Sequence, residues 1–289
     1  MTLLSPSSLK GEINRLISLE SYNPHGLLGL HSINQNEKVI RLWRPGAQTV
    51  YIELQGKIVQ MQQVDPAGLF ELYVPFSINP TDYRVYHQNG LLAHDPYAFW
   101  PTLGEWDQYI FGQGTHYKLY NALGGRISVQ QGVTGCKFAV WAPSAKSVSL
   151  VADFNYWNGQ ANPMRSLGQS GIWELFVPGI EEGTKYKFEI QSQSGQYKIK
   201  ADPFALSSEL RPSTASVISN VSKFHFEDQE WIQRREKERH NPKPLNIYEV
   251  HLGSWRKKED NSWYNYSELA DMLIPYVKEY GYNYSFQKE

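Results

Sequence analysis

The chain has 289 residues, 41% of them hydrophobic and 20% charged, with 28 Lys and Arg against 29 Asp and Glu. That length suits two domains at about 100–200 residues each. The composition excludes global disorder, and a net charge of −1 offers no basic footprint for nucleic acid or anionic lipid. One cysteine, Cys136, excludes an intrachain disulfide framework and fits a reducing compartment. MTLLSPSSLKGE has no basic segment leading into an apolar run, and nothing approaches the ~18 apolar residues of a membrane span. No signal peptide, no membrane segment and a cytoplasmic location are therefore expected. Nine Trp, 19 Tyr and 12 Phe make the chain 14% aromatic. Such side chains suit sheet cores, and where exposed they are plates for sugars or bases.

In chain order, Leu9, Ile13, Leu16 and Ile17 have helical spacing and predict a short helix over Ser8 to Leu19. Val50, Ile52 and Leu54 alternate with Tyr51 and Glu53, and Phe70, Leu72 and Val74 alternate with Glu71 and Tyr73. Further on, Tyr186, Phe188 and Ile190 alternate with Lys187 and Glu189. Period two with one apolar face predicts half-buried antiparallel strands. Asn89-Gly90 and Ser194-Gly195 read as hairpin turns. WIQRREKERHNPKP, Trp231 to Pro244, is charged and then proline-punctuated, the profile of a linker. LNIYEVHLGSW predicts a strand buried on both faces. Leu269, Leu273, Tyr276, Val277 and Tyr280 form one stripe of a helix bent at Pro275. Strand, loop and helix make the first half of a βαβ unit.

The chain also repeats itself. RLWRPGAQTVYIEL (from Arg41) aligns with FAVWAPSAKSVSLV (from Phe138), and GLFELYVP (from Gly68) with GIWELFVP (from Gly171). HDPYAF (from His94) aligns with KADPFA (from Lys200). The offset is 98 residues at Trp43 and Trp141 and grows to 107 at Asp95 and Asp202, as small loop insertions would make it. Two copies of one strand-rich unit follow. The fold expected is mainly β: two tandem immunoglobulin-like β-sandwiches.

No independent active site is legible. Glu181-Glu182 and Glu259-Asp260 are sequence neighbours, whose side chains diverge on a strand. The eight His show no metal spacing and a single Cys builds no zinc site, so no metal and no cofactor is expected. Gly124-Gly125 and Gly26-Leu27-Leu28-Gly29 lack the strand-to-helix context of a phosphate loop. Trp141 and Trp173 stand in strand contexts and are expected in a core or interface. Trp157 lies in ADFNYWNGQ, a polar stretch outside the alternation, which argues for a loop. Lys187, between Tyr186 and Phe188, points outward.

VWAPSAKSVSLVADFNYWNG (Val140 to Gly159), MRSLGQSGIWELFVPG (Met164 to Gly179), KADPFA, ELRPSTASV (Glu209 to Val217) and IYEVHLGSWR (Ile247 to Arg256) resemble bacterial 1,4-α-glucan (glycogen) branching enzymes. The resemblance implies an N-terminal helix and first sandwich over 1–111 and a second sandwich over 112–226, a carbohydrate-binding module of the glycogen-binding type. A linker over 227–244 would follow, and then 245–289, the first strand and helix of an α-amylase-superfamily (β/α)₈ barrel. It implies α-glucan as the ligand, through three residues. Trp157, in a GDFNxW-like loop, would stack on glucose; Lys187 would contact a hydroxyl; Tyr197 stands where those modules carry a second stacking Trp. The closing Asn of such modules has no clear counterpart, Ser219 and Asn220 being the nearest residues.

A barrel needs about 250 residues, and retaining transfer between glycosidic bonds needs two carboxylates about 5–5.5 Å apart. Those carboxylates belong to later barrel strands in the family. This sequence, which after GYNY reads SFQKE, is therefore expected to be inactive by itself, as a truncated or frame-interrupted product. Three readings stay open: the N-terminal part of a branching enzyme, a non-catalytic α-glucan-binding double sandwich, and a structural remnant in which Trp157 merely covers a sandwich edge. The first copy, with QGKIVQ in place of the FNxW loop, is expected to hold no sugar site.

Overall fold

The computed structural model describes residues 6–86, 91–239 and 244–288, which fall into two compact units, Met1–Lys223 and Phe224–Glu289. The turn expected at Asn89-Gly90 lies outside the described residues. Among the described residues no helix is long and apolar enough to cross a membrane.

The first unit opens with helix α1 (Pro6–Ile17), which buries Ile13 and Leu16. Eight strands follow: β1 (Gly29–Ser32), β2 (Glu37–Trp43), β3 (Tyr51–Leu54), β4 (Lys57–Gln60), β5 (Gln62–Asp65), β6 (Leu69–Pro75), β7 (Tyr83–Tyr86) and β8 (Leu92–Ala93). They make two antiparallel sheets, β1-β2-β6-β5 and β4-β3-β7-β8. Helices α2 (Glu105–Gly112) and α3 (Leu119–Ala122) then lead into β9 (Gly124–Gln130), β10 (Val133–Trp141), β11 (Ala145–Ala152), β12 (Arg165–Ser166), β13 (Ile172–Pro178), β14 (Lys185–Ser192), β15 (Tyr197–Lys200), β16 (Ser207–Ser208) and β17 (Ser216–Val217). One sheet of this second set runs β12-β13-β10-β9, the order of the first copy's β5-β6-β2-β1. The other runs β11-β14-β17-β16, with β15 sharing an edge of β14 as β8 shares that of β7. The sequence repeat is thus a repeat of sheet order, and the fold is two tandem β-sandwiches.

Each copy is closed by the same buried pair. The Tyr83 hydroxyl donates to Asp95 at 2.9 Å, and Tyr186 donates to Asp202. Each aspartate also accepts a backbone N–H two residues on, from Tyr97 and Phe204, which turns the chain sharply after β8 in the first copy and after β15 in the second. Asp202 takes the Gly125 N–H as well, at 3.1 Å. A hydrogen bond to a buried carboxylate contributes about 1.5–3 kcal/mol. Tyr186→Phe is expected to lower the thermal midpoint of the first unit by about 3–12 °C, measured by calorimetry.

The two copies share a core. Ile13 and Leu16 of α1, Trp43, Leu69 and Tyr97 join Phe138, Leu150, Trp173 and Phe188 in one buried cluster. Trp43 Nε1 donates to the Gln160 carbonyl at 2.9 Å and the Tyr97 hydroxyl to that of Pro163 at 3.1 Å. Glu71 and Glu174, equivalent in the repeat, are both buried and both paired with arginine, Arg41 on β2 and Arg165 on β12. Trp173 is buried as expected, but Trp141 is 54% exposed where its counterpart Trp43 is 1% exposed. Trp43 is buried in the core shared with the second copy, whereas Trp141 packs edge to face with Phe111 on α2, 6.0 Å between centroids, and stays open to solvent.

His25 sits in this shared region, edge-on to Tyr97 at 5.1 Å, with both ring nitrogens cut off from solvent and unpartnered. Burial, then Arg165 and His31, hold its pKa well below the ordinary value. A base whose folded pKa is depressed leaves the unfolded chain as the better proton acceptor. Stability is therefore retained above about pH 6.5 and falls as the pH is lowered beneath it. His25→Phe, apolar and of similar shape, is expected to leave the midpoint at pH 7.5 unchanged or higher and to make the decline between pH 6.5 and 5 shallower. His31 and His94, also depressed by burial, keep part of that decline in place.

In the second unit the predicted linker contains helix α4 (Gln229–Glu238), with Arg235 over Trp231, and residues 240–243 lie outside the described residues. Strand β18 (Ile247–His251), the short α5 (Leu252–Trp255), helix α6 (Tyr266–Glu279) and β19 (Tyr284–Lys288) follow. Asn265 and Glu268 cap α6 reciprocally, at 2.8 and 2.9 Å. Pro275 lies within α6.

Two expectations are corrected here. The βαβ unit is complete, because YSFQK pairs in parallel with β18, Ile247 opposite Tyr284. β18 is not buried on both faces: Ile247 is 53% exposed and Val250 is its one buried residue. A two-stranded sheet has no neighbouring strands to cover it. Leu269 and Leu273 are buried, while Tyr276 joins a ring cluster with Tyr248, Trp255 and Tyr280. With so few buried side chains, amides of residues 244–288 are expected to exchange hydrogen faster than those of β10, β13 and β14, read by hydrogen-exchange mass spectrometry.

Candidate functional site

The outward side of the β11-β14-β15 sheet carries Lys187 and Tyr197, and Trp157 lies in the loop that follows β11. The first copy passes from β3 to β4 by a two-residue turn, Gln55-Gly56, both at positive φ. At the equivalent point the second copy inserts residues 153–163. Asn155, 8% exposed, holds this loop: its Oδ1 accepts from Ala152 N, and its Nδ2 donates to the Leu150 carbonyl and to Asn162, each at 2.8 Å. Asp153 accepts the Lys185 N–H at 3.1 Å. Tyr156 and Trp157 then follow with φ of 55° and 59°, two successive left-handed residues that are not glycine. That conformation costs about 1–2 kcal/mol per residue, offset here by the buried asparagine network. It leaves Trp157 37% exposed.

Lys187 lies on β14 between fully buried Tyr186 and Phe188, opposite Val151 of β11, and its Nζ donates to Thr214 Oγ1 at 2.7 Å. Tyr197 opens β15 opposite Gln191. Its hydroxyl accepts from Gln191 Nε2 at 2.9 Å and donates to the Ser18 carbonyl, at the end of α1, at 3.4 Å. Its ring stays 48% exposed. Lys187 and Gln191 are four residues apart on one strand face, so Lys187 and Tyr197 mark the ends of a run about 13 Å long. The Trp157 loop reaches the same face at Gly159, where a Cβ would collide with the Glu189 carboxylate. Among the described residues no hydrogen bond or ring contact joins Trp157 to Lys187 or Tyr197.

Sequence reasoning passed over Thr214, Glu189 and Gln191. Glu189 and Gln191 share the parity of Lys187, which was the available signal. Thr214 could not be found that way, because it arrives from a loop 27 residues on. Asn220 is committed elsewhere: its Oδ1 accepts from Ser222 N at 3.1 Å, capping the turn Val221–Lys223. The acidic neighbours are likewise engaged, Glu182 with Lys223 and Asp260 with Ser262. Burial pushes the Cys136 thiol up, so it is protonated and inert at neutral pH. His251, exposed, shares a hydrogen bond with Ser254 at 2.8 Å. Among the described residues no three His, Cys, Asp or Glu come together where they could hold a metal ion.

Comparison with known proteins matches the two copies to two different domains. Residues 9–97 match the alpha-1,4-glucan branching enzyme GlgB, N-terminal domain, and residues 122–205 match carbohydrate-binding module 48 (isoamylase N-terminal domain). The 1,4-alpha-glucan branching enzyme GlgB of Protochlamydia amoebophila (strain UWE25) is 53% identical over 279 residues, 96% of this chain and 38% of that protein. The protein of that name from Chlamydia caviae is 46% identical over 273 residues, 94% of this chain and 37% of that protein. A solved pullulanase from Anoxybacillus sp. LM18-11, complexed with maltotetraose, aligns with 91% of this chain and 38% of its own at 15% identity and a TM-score of 0.41, too low to carry detail across. The chain thus spans just over a third of the length of the curated relatives it matches. It is a homologue of the N-terminal portion of the 1,4-alpha-glucan branching enzymes GlgB, carrying their N-terminal domain followed by a carbohydrate-binding module 48.

Proposed function

We propose that the second sandwich, taken over residues 112–226, binds α-glucan on the outward side of the β11-β14-β15 sheet. Trp157 and Tyr197 would serve as plates and Lys187 as a hydroxyl donor. The observation that carries this reading is the shared face: Lys187 and Tyr197 stand on one side of the sheet, and the loop presenting Trp157 packs onto that side at Gly159. Pyranose rings offer apolar C–H faces to aromatic rings and hydroxyls to fixed polar groups. Tyr197 has its hydroxyl engaged by Gln191 and Ser18, so its contribution would come from the ring. The polypeptide would serve glucan branching, cleaving α-1,4 and forming α-1,6 linkages, and these 289 residues would supply glucan binding without bond exchange. A second reading takes Tyr197 as a packing residue, because it ties the end of α1 to the sheet alongside the Lys146–Glu20 ion pair.

Native affinity electrophoresis in glycogen gels tests the glucan site at Trp157. The chain is expected to be retarded, and Trp157→Ala to weaken binding about three- to tenfold, the worth of one aromatic stacking contact. Unchanged retardation in Trp157→Ala would move the site elsewhere. A branching assay that follows the iodine colour of amylose is expected to show no activity in the pure chain.

A further inference from the structure

Resting on the glucan-binding reading, we infer that Glu189 is a ligand-contacting residue of this face, its carboxylate accepting hydrogen bonds from adjacent hydroxyls of an α-glucan that lies beside the Trp157 loop. Four polar side chains line the outward row of β14: Lys185, Lys187, Glu189 and Gln191. Three are satisfied within the protein, Lys185 by Glu209 at 2.9 Å. Lys187 donates to Thr214, and Gln191 accepts from Ser147 Oγ at 3.2 Å while donating to Tyr197. Glu189 sits between them, half-buried, and its carboxylate has no hydrogen-bond or ion-pair partner among the described residues. Its neighbours across the sheet are Ser149 on β11 and Ile199 on β15. The backbone of the Trp157 loop closes over it at Gly159, leaving no room there for a side chain. Burial raises the pKa of this carboxyl above the ordinary value, a sign of a charge kept away from water without compensation.

An unpaired, partly desolvated carboxylate costs stability, and such costs are commonly retained where a ligand offsets them. Lys187 keeps donors beyond its Thr214 contact, whereas the Gln191 amide is engaged at both ends, by Ser147 and by Tyr197. The hydroxyls of glucose also donate, and the acceptor left for them in this row is Glu189. A carboxylate accepts two such hydrogen bonds side by side. Its place, two residues from Lys187 and two from Gln191, puts it midway along the run between Lys187 and Tyr197.

The test is titration calorimetry of maltoheptaose into the wild-type chain, Trp157→Ala, Glu189→Gln and Glu189→Ser, with thermal midpoints measured in parallel. Wild-type binding, weakened in Trp157→Ala and weakened at least tenfold in both Glu189 variants, with their midpoints unchanged or raised, is the expected result. Glu189 variants binding within twofold of wild type, while Trp157→Ala is weakened, would overturn the role of Glu189 and leave the site reading standing. A midpoint lowered by several degrees in both variants would make Glu189 a structural residue and overturn the inference. Wild-type binding untouched in Trp157→Ala, or no binding by wild type, would overturn the site reading and this inference with it.

Discussion

A buried tyrosine hydroxyl held by a buried aspartate closes both halves of the first unit, and the remaining architecture is arranged around that constraint. Tyr83 and Tyr186 lie on equivalent strands, and Asp95 and Asp202 open a turn after the equivalent strands β8 and β15. Neither partner tolerates being left alone, since burial drives both tyrosine hydroxyls to stay protonated and raises the Asp95 carboxyl. The pair therefore forms only when strand and turn arrive together. That dependence also binds the start of each copy. Gly125 donates to Asp202 directly, and Gly29, at φ 92°, lets β1 pass so close to the Tyr97 carbonyl that a Cβ would clash.

Around these two closures the copies differ by what covers them. Glu71 and Glu174 are both buried acids in the same motif, but Glu71 is neutralised by Arg41 across β2, whereas Glu174 takes Arg165 from β12 and Thr102 from the connecting segment. Trp43 is sealed by the second copy and hydrogen-bonds to it, while Trp141 stays 54% exposed among the described residues. The duplicated unit is thus made asymmetric by its position in the chain. One consequence is a shared core that makes residues 6–223 a single compact unit rather than two loosely joined ones.

The same asymmetry separates the faces chemically. A two-residue turn at Gln55-Gly56 leaves the first copy's sheet edge plain, and the inserted residues 153–163 give the second copy a loop with a strained, asparagine-anchored tip. Strain at Tyr156 and Trp157 is tolerated because Asn155 makes three hydrogen bonds inside the loop. The loop in turn closes over Glu189, which turns a flat sheet face into one with a rim.

Much of this was legible from the amino-acid order alone. Period-two alternation located the strands, the internal repeat located the duplicated sheet order, and the resemblance of the FNYW loop pointed to Trp157. Parity on β14 was enough to turn Lys187 outward, since residues i and i+2 of a strand share a face. Other features were beyond such reasoning because they join residues distant in the chain. The Thr214 contact to Lys187, the Ser18 contact to Tyr197, the closure of Gly159 over Glu189 and the exposure of Trp141 depend on which loops meet after folding. The pairing of YSFQK with β18 is of the same kind, since a parallel partner sits a whole helix away. Local pattern dictates element type and facing through short-range backbone geometry. Partners are chosen by burial and hydrogen-bond satisfaction over the whole unit, and those exist only once the chain has folded.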